Sequence, residues 1–152
     1  MPINTDFVGR TLAPSPPYEV SREKIREFAE AIGDDNPAYS SREAAQALGH
    51  DDVVAPPTFA IVMAMQLHHD LVRNPELGLD YSRVVHGEQQ FVHHRAIRAG
   101  DVLVGTPHVD DIKSRAGNDM LTWSADIATE SGEPVCRLTS TLVARGTAAD
   151  AS

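Results

Sequence analysis

The chain has one cysteine, few aromatic residues and a shortage of positive charge, and these deficits exclude whole classes of protein. Cys136 has no partner for an intrachain disulfide, so the sequence predicts a protein of a reducing compartment, by default the cytoplasm. It lies in a strand-like stretch, where we expect a buried, unreactive thiol. With 13 Lys and Arg against 22 Asp and Glu, the net charge of −9 argues against nucleic acid as a partner.

Long apolar runs are also missing. No stretch reaches the roughly 18 residues needed to cross a bilayer, and the polar residues 1–6 lack a basic signal-peptide leader. We therefore expect neither a membrane-spanning segment nor a secretory signal. A chain of 152 residues, 41% hydrophobic and 23% charged, is typical of one globular domain. The expectation is a single domain over residues 1–152, with its core at about 7–146 and a frayed C-terminal tail.

Seven histidines are present, but their spacing does not indicate a metal site. His68–His69 and His93–His94 are adjacent pairs, whose side chains point in different directions on a helix or a strand. The sequence contains no His-x-x-x-His or Cys-x-x-Cys spacing and no glycine-rich phosphate-binding loop. It therefore predicts no metal ion and no nucleotide or other cofactor.

Three helices are predicted in the first half of the chain. Apolar residues at helical spacing indicate one over residues 21–32, and a serine cap favours a short second helix over 42–48. Residues 58–73 show no polar side before His68. This pattern is typical of a helix that is buried on most sides, so we expect it at the centre of the fold.

The second half of the chain has the composition of antiparallel strands, since β-branched residues alternate with turn signals. Pro107 cannot donate to a strand ladder, so we expect it on a sheet edge or at a bulge. A short strand at Tyr18–Val20 and four long strands together predict an α+β protein with a five-stranded sheet. The long strands are predicted over 83–93, 102–115, 120–129 and 135–145.

Two segments carry the most informative motif. Gly33–Tyr39 reads Gly-Asp-Asp-Asn-Pro-Ala-Tyr, and about twenty residues later Val54–Phe59 reads Val-Ala-Pro-Pro-Thr-Phe. Taken alone, the first is a common turn and the second a common helix start. Their order and spacing resemble the active-site frame of the MaoC-like, or (R)-specific hydratase/dehydratase, family of hot-dog proteins. The resemblance implies a hot-dog fold, in which an antiparallel five-stranded sheet wraps around a long central helix.

The chain departs from the family pattern, Asp-x-Asn-Pro-x-His followed by His-Gly, at both catalytic positions. Tyr39 stands where the catalytic His would be, and Pro56-Pro57 replaces His-Gly. A phenol with a pKa near 10 is a poor base, and Pro57 has no N–H to hold a thioester carbonyl. Asp34 can still order a water, so the resemblance implies a vestigial or weak catalytic site at Asp34 and Tyr39. Its implied substrate-binding residues are Asn36, Pro56, Pro57, Thr58 and Phe59.

His86 is a second candidate for proton transfer, near the start of the first long strand. In a hot-dog fold this strand runs beside the central helix. One interpretation is a packed polar strand end; the functional one makes His86 a replacement proton donor that works with Asp34. Farther along, Arg95–Asp101 resembles the shoulder turn of hot-dog proteins, in which a basic residue and Gly-Asp close a strand connection.

A narrower resemblance concerns residues 18–29, Ala55–Phe59 and Thr139–Arg145. These resemble the FAS1-like dehydratase, or MaoC-like N-terminal-domain, proteins of actinobacteria, and in particular the non-catalytic subunits of (3R)-hydroxyacyl-ACP dehydratases. The resemblance covers about residues 7–146. It implies a hydro-lyase subunit, inactive alone, that helps form the channel for an acyl-ACP or acyl-CoA thioester in fatty-acyl metabolism. Its implied protein partner is a MaoC-type catalytic subunit, which it stabilises.

Two alternatives remain open. One is a self-sufficient (R)-specific enoyl-thioester hydratase that uses Asp34 with a non-standard proton partner. The other is a homodimeric acyl-thioester-binding protein without chemistry. All three predict an acyl thioester as ligand and a dimer of some kind, with neither nucleic acid nor a membrane as partner.

Overall fold

The computed structural model describes residues 2–148, which form an antiparallel sheet packed against helices. The five strands lie in the order β1-β3-β4-β5-β2, so β1 and β2 are the edges. This confirms the predicted α+β class and the five-stranded sheet around a central helix. The strands are β1 (Tyr18–Glu19), β2 (Val84–His93), β3 (Val102–Arg115), β4 (Asn118–Thr129) and β5 (Pro134–Ala144); the helices are α1 (Arg22–Ile32), α2 (Arg42–Ala47) and α3 (Ile61–Val72).

The four long strands begin and end within two residues of the predicted positions. β3 and β4 are joined by a tight turn at Ala116-Gly117, where both residues have positive φ, 51° and 77°. A two-residue turn with positive φ at both positions matches the right-handed twist of the flanking strands. The turn fixes the register of the hairpin, in which Arg115 pairs with Asn118.

Pro107 lies on β3 and pairs with Ala125 of β4 on one side. On its other side the N-terminal segment passes, and the Leu12 N–H donates to the Pro107 carbonyl at 2.8 Å. A bulge follows between Val109 and Asp111. Pro107 thus lies two residues before a bulge, on the side of β3 along which the N-terminal segment runs, and neither on an edge strand nor in the bulge itself.

The central helix differs from its prediction in where it begins. Residues 57–60 form turns, and α3 begins at Ile61, three residues later than predicted. The Phe59 N–H donates to the Pro56 carbonyl and the Ile61 N–H to the Thr58 carbonyl, a tighter pattern than that of an α-helix. Proline constrains the residue before it and lacks an N–H, so Pro56-Pro57 delays the start of the helix.

The helix is buried on most sides, as predicted, but one side of it is open. Its buried side includes Met63, Leu67 and Leu71, but Met65 is 56% exposed. Gln66, the next residue along, is exposed as well. The sequence pattern did not predict the exposure of Met65, because an apolar residue on the open side of a helix looks the same in a sequence as one in the core.

The shoulder turn is held by a bidentate ion pair. Arg95 donates to both carboxylate oxygens of Asp101, at 2.8 and 2.9 Å, and the Arg98 N–H donates to the same carboxylate at 2.9 Å. Asp101 is buried, and its hydrogen bonds with Arg95 raise the pKa of that guanidinium above its usual value. This confirms the predicted closure of the connection between β2 and β3 by a basic residue and Gly-Asp.

At the C-terminal end, Thr147 is buried and its hydroxyl donates to Asp119 at 2.8 Å. The predicted frayed tail begins after Gly146, and residues 149–152 of it lie outside the described residues. Cys136 on β5 is buried, as predicted, and burial raises the pKa of its thiol to about 11. The thiol is therefore protonated at neutral pH and unreactive.

Candidate functional site

The turn after α1 is built by its own side chains. The helix ends at Gly33 in the left-handed conformation (φ 72°, ψ 24°). Asp34 Oδ1 then accepts from the Asn36 N–H at 3.2 Å, and Asn36 Oδ1 accepts from the Ala38 N–H at 3.0 Å. Both side chains are exposed. Asp34 and Asn36 thus stabilise the turn, and each keeps a second lone-pair direction facing solvent.

Tyr39 lies at the end of this turn and is buried. Burial raises the pKa of its phenol, and the neighbouring Asp34 carboxylate raises it further. The phenol is therefore neutral across the physiological range and can donate a proton in a hydrogen bond but not abstract one. This supports the inference that Tyr39 cannot replace a catalytic histidine as base.

A cavity of about 230 Å³ opens beside the turn, lined by residues that include Asp34, Asn36 and Tyr39. Arg26 of α1 lies on its wall and contacts the carboxylates of Glu23 and Glu30. The charge of Arg26 is thus shared by two carboxylates on its own helix. The cavity therefore presents both carboxylate acceptors and hydroxyl and amide donors to a ligand.

The second half of the frame, residues 54–60, lies against the first. The Val54 N–H donates to the Ala38 carbonyl at 3.1 Å. The rings of Phe28 and Phe59 pack edge to face, with their centroids 5.5 Å apart. The structure therefore brings together the two segments that the sequence motif links. Because Pro56 and Phe59 are buried, they position this loop, whereas Pro57 and Thr58 are exposed to a ligand.

Pro57 and Thr58 have different hydrogen-bonding capacity. Pro57 has no N–H, and its carbonyl accepts from His93 Nε2 of β2 at 2.7 Å. The Thr58 N–H has no acceptor within residues 2–148. The Thr58 N–H is thus the first free backbone donor after the prolines. It lies one residue after Pro57, which occupies the Gly position of the family pattern.

His86 is not brought to Asp34. Its Nε2 is hydrogen-bonded to the Ser140 hydroxyl of β5 at 2.9 Å. It lines a different cavity, of about 130 Å³, which lies between α3 and the sheet and shares no residue with the cavity beside Asp34. Within one chain, His86 and Asp34 therefore form no proton-transfer pair.

This second cavity contains functional groups that the sequence analysis did not single out. His68 of α3 lines it, with Gln89 of β2 and Trp123 of β4. Burial lowers the pKa of His68, and the nearby His86 and His69 lower it further, so its ring is neutral at neutral pH. The strand register places Gln89 and Trp123 on the same face of the sheet, and α3 brings His68 to that face.

Within residues 2–148, no group of three or more His, Cys, Asp or Glu side chains is arranged to hold a metal ion. None of the helices in this range is both long enough and apolar enough to cross a membrane.

Comparison with known proteins gives both a family and a fold. The family model described as "FAS1-like, dehydratase domain region" matches residues 6–138. A UPF0336 protein of Saccharopolyspora erythraea is 61% identical over 150 residues, covering 99% of this chain and 96% of that protein.

Two solved structures are similar at 34% sequence identity, and each covers 91% of this chain. One belongs to the C-terminally truncated HadBC (3R-hydroxyacyl-ACP dehydratase) complex of Mycobacterium tuberculosis, with a TM-score of 0.82 over 98% of that chain. The other is a "MaoC-like dehydratase" of which the match covers 42%, with a TM-score of 0.85. The predicted hot-dog fold is thereby confirmed.

Proposed function

We propose, since this chain belongs to the FAS1-like dehydratase domain family, that it is a non-catalytic subunit of a (3R)-hydroxyacyl-thioester dehydratase. In this proposal it forms part of the substrate channel and stabilises a MaoC-type subunit that carries the catalytic residues. The observation that carries the proposal is a frame that keeps its architecture and lacks both catalytic groups. The match to a chain of a (3R)-hydroxyacyl-ACP dehydratase complex supports the same reaction class.

The reaction explains why the two replacements matter. Dehydration removes the α proton of a 3-hydroxyacyl thioester and expels the 3-hydroxyl as water, which leaves a trans-2-enoyl thioester. It needs a base for the α proton, an acid for the leaving hydroxyl and a donor for the thioester oxygen, on which negative charge develops. Tyr39 is neutral and Pro57 lacks an N–H. A partner subunit would supply these groups.

An exposed apolar surface supports the presence of such a partner. β2 is an edge strand, hydrogen-bonded only to β5, and its Val85 and Val92 are 41% and 49% exposed. Tyr81, just before this strand, and Met65 of α3 are also exposed. Unpaired edges and exposed apolar patches are typical of protein interfaces. We infer that a partner pairs with the edge of β2 and covers Val85 and Val92, which together form the β2 edge surface.

The β2 edge surface lies close to the Pro57–Thr58 loop, so a partner bound there would help to form the proposed substrate channel. His93 at the end of β2 holds the Pro57 carbonyl, so a partner on this edge would lie next to the exposed Pro57 and Thr58. In the proposal, Asn36, Pro57 and Thr58 contact the acyl thioester, while Pro56 and Phe59 hold the loop in place. The dimer partner is a MaoC-type subunit or, if the chain is a homodimeric acyl-thioester-binding protein without chemistry, a second copy of this chain.

The test compares the chain alone with the chain co-expressed with a MaoC-type subunit. Hydration of crotonyl-CoA and of a longer trans-2-enoyl-CoA is followed by loss of enoyl absorbance. We expect no turnover alone, and a stable complex whose activity exceeds that of the catalytic subunit by itself. Val92→Arg should weaken the complex, whereas Leu48→Arg, an exposed apolar residue outside the β2 edge surface, should not. Unchanged activity and solubility of the catalytic subunit would refute the proposal.

One observation favours the second candidate, a self-sufficient enoyl-thioester hydratase. The free Thr58 N–H is available as a thioester donor, and Asp34 keeps an exposed carboxylate. In this case the purified chain hydrates enoyl-CoA, and Asp34→Asn abolishes the reaction. Activity that survives Asp34→Asn would exclude this candidate.

A further inference from the structure

A line of four polar side chains crosses four neighbouring segments of the sheet. Thr11 of the N-terminal segment lies opposite His108 of β3, and Arg137 of β5 lies opposite Asp126 of β4. His108 pairs with Ser124, two residues before Asp126, so His108 and Asp126 are diagonal neighbours on one face. The register thus brings a hydroxyl, an imidazole, a carboxylate and a guanidinium together.

Hydrogen bonds join these four side chains end to end. Thr11 Oγ1 lies 3.0 Å from His108 Nδ1, and His108 Nε2 lies 3.0 Å from Asp126 Oδ2. Arg137 donates to the other carboxylate oxygen of Asp126 at 2.7 Å. Thr11 is exposed, and the His108 side chain is 26% exposed. The hydrogen-bonded line therefore begins at a hydroxyl that a molecule in solution can reach.

The hydrogen-bonding capacity of the groups fixes the direction of each bond. A guanidinium can only donate, and its ion pair with Asp126 favours the carboxylate form, which can only accept. His108 Nε2 must then carry the proton that is donated to Asp126. In a neutral imidazole this leaves a lone pair on Nδ1, which accepts the hydrogen bond from the Thr11 hydroxyl. The hydroxyl proton of Thr11 therefore points at a base.

This arrangement is that of an activated nucleophile, in which a base contacts the hydroxyl and a third group orients the base. A backbone donor is present as well. The hydrogen bonds of the bridge to β3 come from the residues on either side of Thr11, so its own N–H points away from β3 and has no acceptor within residues 2–148. The nucleophile's own N–H helps to hold the oxyanion in serine proteases.

Another hydroxyl–imidazole pair of the chain lacks these features. His86 Nε2 lies 2.9 Å from the Ser140 hydroxyl, but no carboxylate within residues 2–148 contacts His86, and Ser140 is buried. The carboxylate and the exposed hydroxyl therefore distinguish the line that begins at Thr11.

We propose that Thr11, His108 and Asp126 form a nucleophilic centre that accepts an acyl group from an activated ester or thioester. Thr11 Oγ1 attacks the acyl carbonyl and forms a new C–O bond, while its proton passes to His108. The bond from the carbonyl to the leaving alcohol or thiol breaks, and His108 gives the proton to that leaving group. Water then hydrolyses the acyl-threonine ester by the same route, which restores Thr11 and releases a carboxylic acid.

This centre is separate from the function proposed above. Trp123 faces the cavity beneath α3, and residues of a strand alternate between faces, so Asp126 points to the opposite face of the sheet. The depression beside His108 and Asp126 shares no residue with the cavity beside Asp34. Acyl transfer is also a different reaction from dehydration, so failure of either proposal would leave the other intact.

The test uses p-nitrophenyl acetate, because release of p-nitrophenolate is followed by its absorbance. We expect the purified chain to accelerate this release. Thr11→Val keeps the shape of the side chain and removes the nucleophile, so the rate should fall about 100-fold, the lower end of what a positioned base contributes. Asp126→Asn should lower the rate about tenfold, because the tautomer of His108 is no longer fixed. An unchanged rate in Thr11→Val would overturn the proposal.

A hydroxyl on the same segment provides the matched control. Ser15 Oγ accepts from the Gly105 N–H at 3.0 Å and contacts no histidine, so Ser15→Ala should leave the rate unchanged. Mass spectrometry after an acid quench should locate the acetyl group on Thr11 within the tryptic peptide 11–22. Acetylation at other residues and not at Thr11 would also overturn the proposal. If Thr11→Val fails to fold, the position of the acetyl group in the unmodified chain decides the question.

Discussion

The contact between the central helix and the sheet gives a prediction whose size follows from one distance. Gly105 of β3 is buried beneath Leu67 of α3. A Cβ placed on Gly105 would lie 2.6 Å from Leu67 Cδ1 and 3.2 Å from Cδ2. The φ of Gly105 lies outside the left-handed region, so alanine at this position would strain the packing and not the backbone. Gly105→Ala therefore measures how closely α3 approaches the sheet.

The magnitude follows from how far Leu67 must move. Restoring ordinary contact requires a shift of about 0.8 Å in a side chain that is 4% exposed. Overpacking of this kind costs about 1–3 kcal/mol, and we expect about 2 kcal/mol for Gly105→Ala. Leu67→Ala alone should cost about 3 kcal/mol. The double variant should cost about 3 kcal/mol as well, because truncating Leu67 makes room for the new methyl group.

The assay is urea unfolding followed by circular dichroism at a fixed protein concentration, since any oligomer would make stability depend on concentration. Leu71, 1% exposed and one helical turn farther along α3, is the control. Leu71→Ala combined with Gly105→Ala should be additive to within about 0.5 kcal/mol. Additive effects in the Gly105–Leu67 pair, or a neutral Gly105→Ala, would refute this account of how the helix packs.

Three further predictions concern single side chains. With its pKa raised to about 11, Cys136 should resist iodoacetamide at pH 8 in the folded protein and react in urea; equal rates would contradict its burial. Hydrogen bonds from Arg22 lower the pKa of Asp52 to about 2. The ionised Asp52 carboxylate therefore stabilises the folded protein fully above about pH 4, and this stabilisation is lost as the pH falls towards 2. Asp52→Asn should remove this pH-dependent contribution to the free energy of unfolding, which is about 1 kcal/mol after solvent screening. An unchanged acid-unfolding profile would contradict the role of the Arg22–Asp52 pair. Asp101→Asn should lower the free energy of unfolding by about 2 kcal/mol, because Arg95 loses its bidentate partner and keeps only the more exposed Glu133 carboxylate. A loss below about 1 kcal/mol would show that the ion pair does not hold the shoulder.

The strands could be predicted from the sequence because their signals are local. Turn residues such as Ala116-Gly117 mark where each strand stops, and β-branched residues mark where it runs. The start of α3 could not be placed as well, since Pro56-Pro57 is compatible with a helix start or with a preceding turn. The exposure of Met65 is not a local property, because it depends on which side of the helix the sheet covers.

In the candidate site, too, the local features were predicted and the features that depend on the fold were not. The frame from Asp34 to Tyr39 and the loop at Pro57 were implied by the family resemblance, and the structure places the two segments side by side. The hydrogen bond from His93 to the Pro57 carbonyl was missed, because it joins residues 36 positions apart through the path of β2. The sequence could not predict that His86 lies beside Ser140 and not beside Asp34, because this depends on the order of the strands in the sheet.

The two cavities carry different kinds of evidence about what this chain does. At the frame, the chain has lost groups: Tyr39 cannot act as a base and Pro57 cannot donate, while the surrounding turn remains fully hydrogen-bonded. Beneath α3, Trp123 Nε1 and Gln89 Oε1 are buried without a hydrogen-bond partner in the described part of the chain. A scaffold needed only for stability would favour apolar residues at these two positions. The loss of both groups at the frame is what the subunit proposed above, which leaves the reaction to a partner, is expected to show.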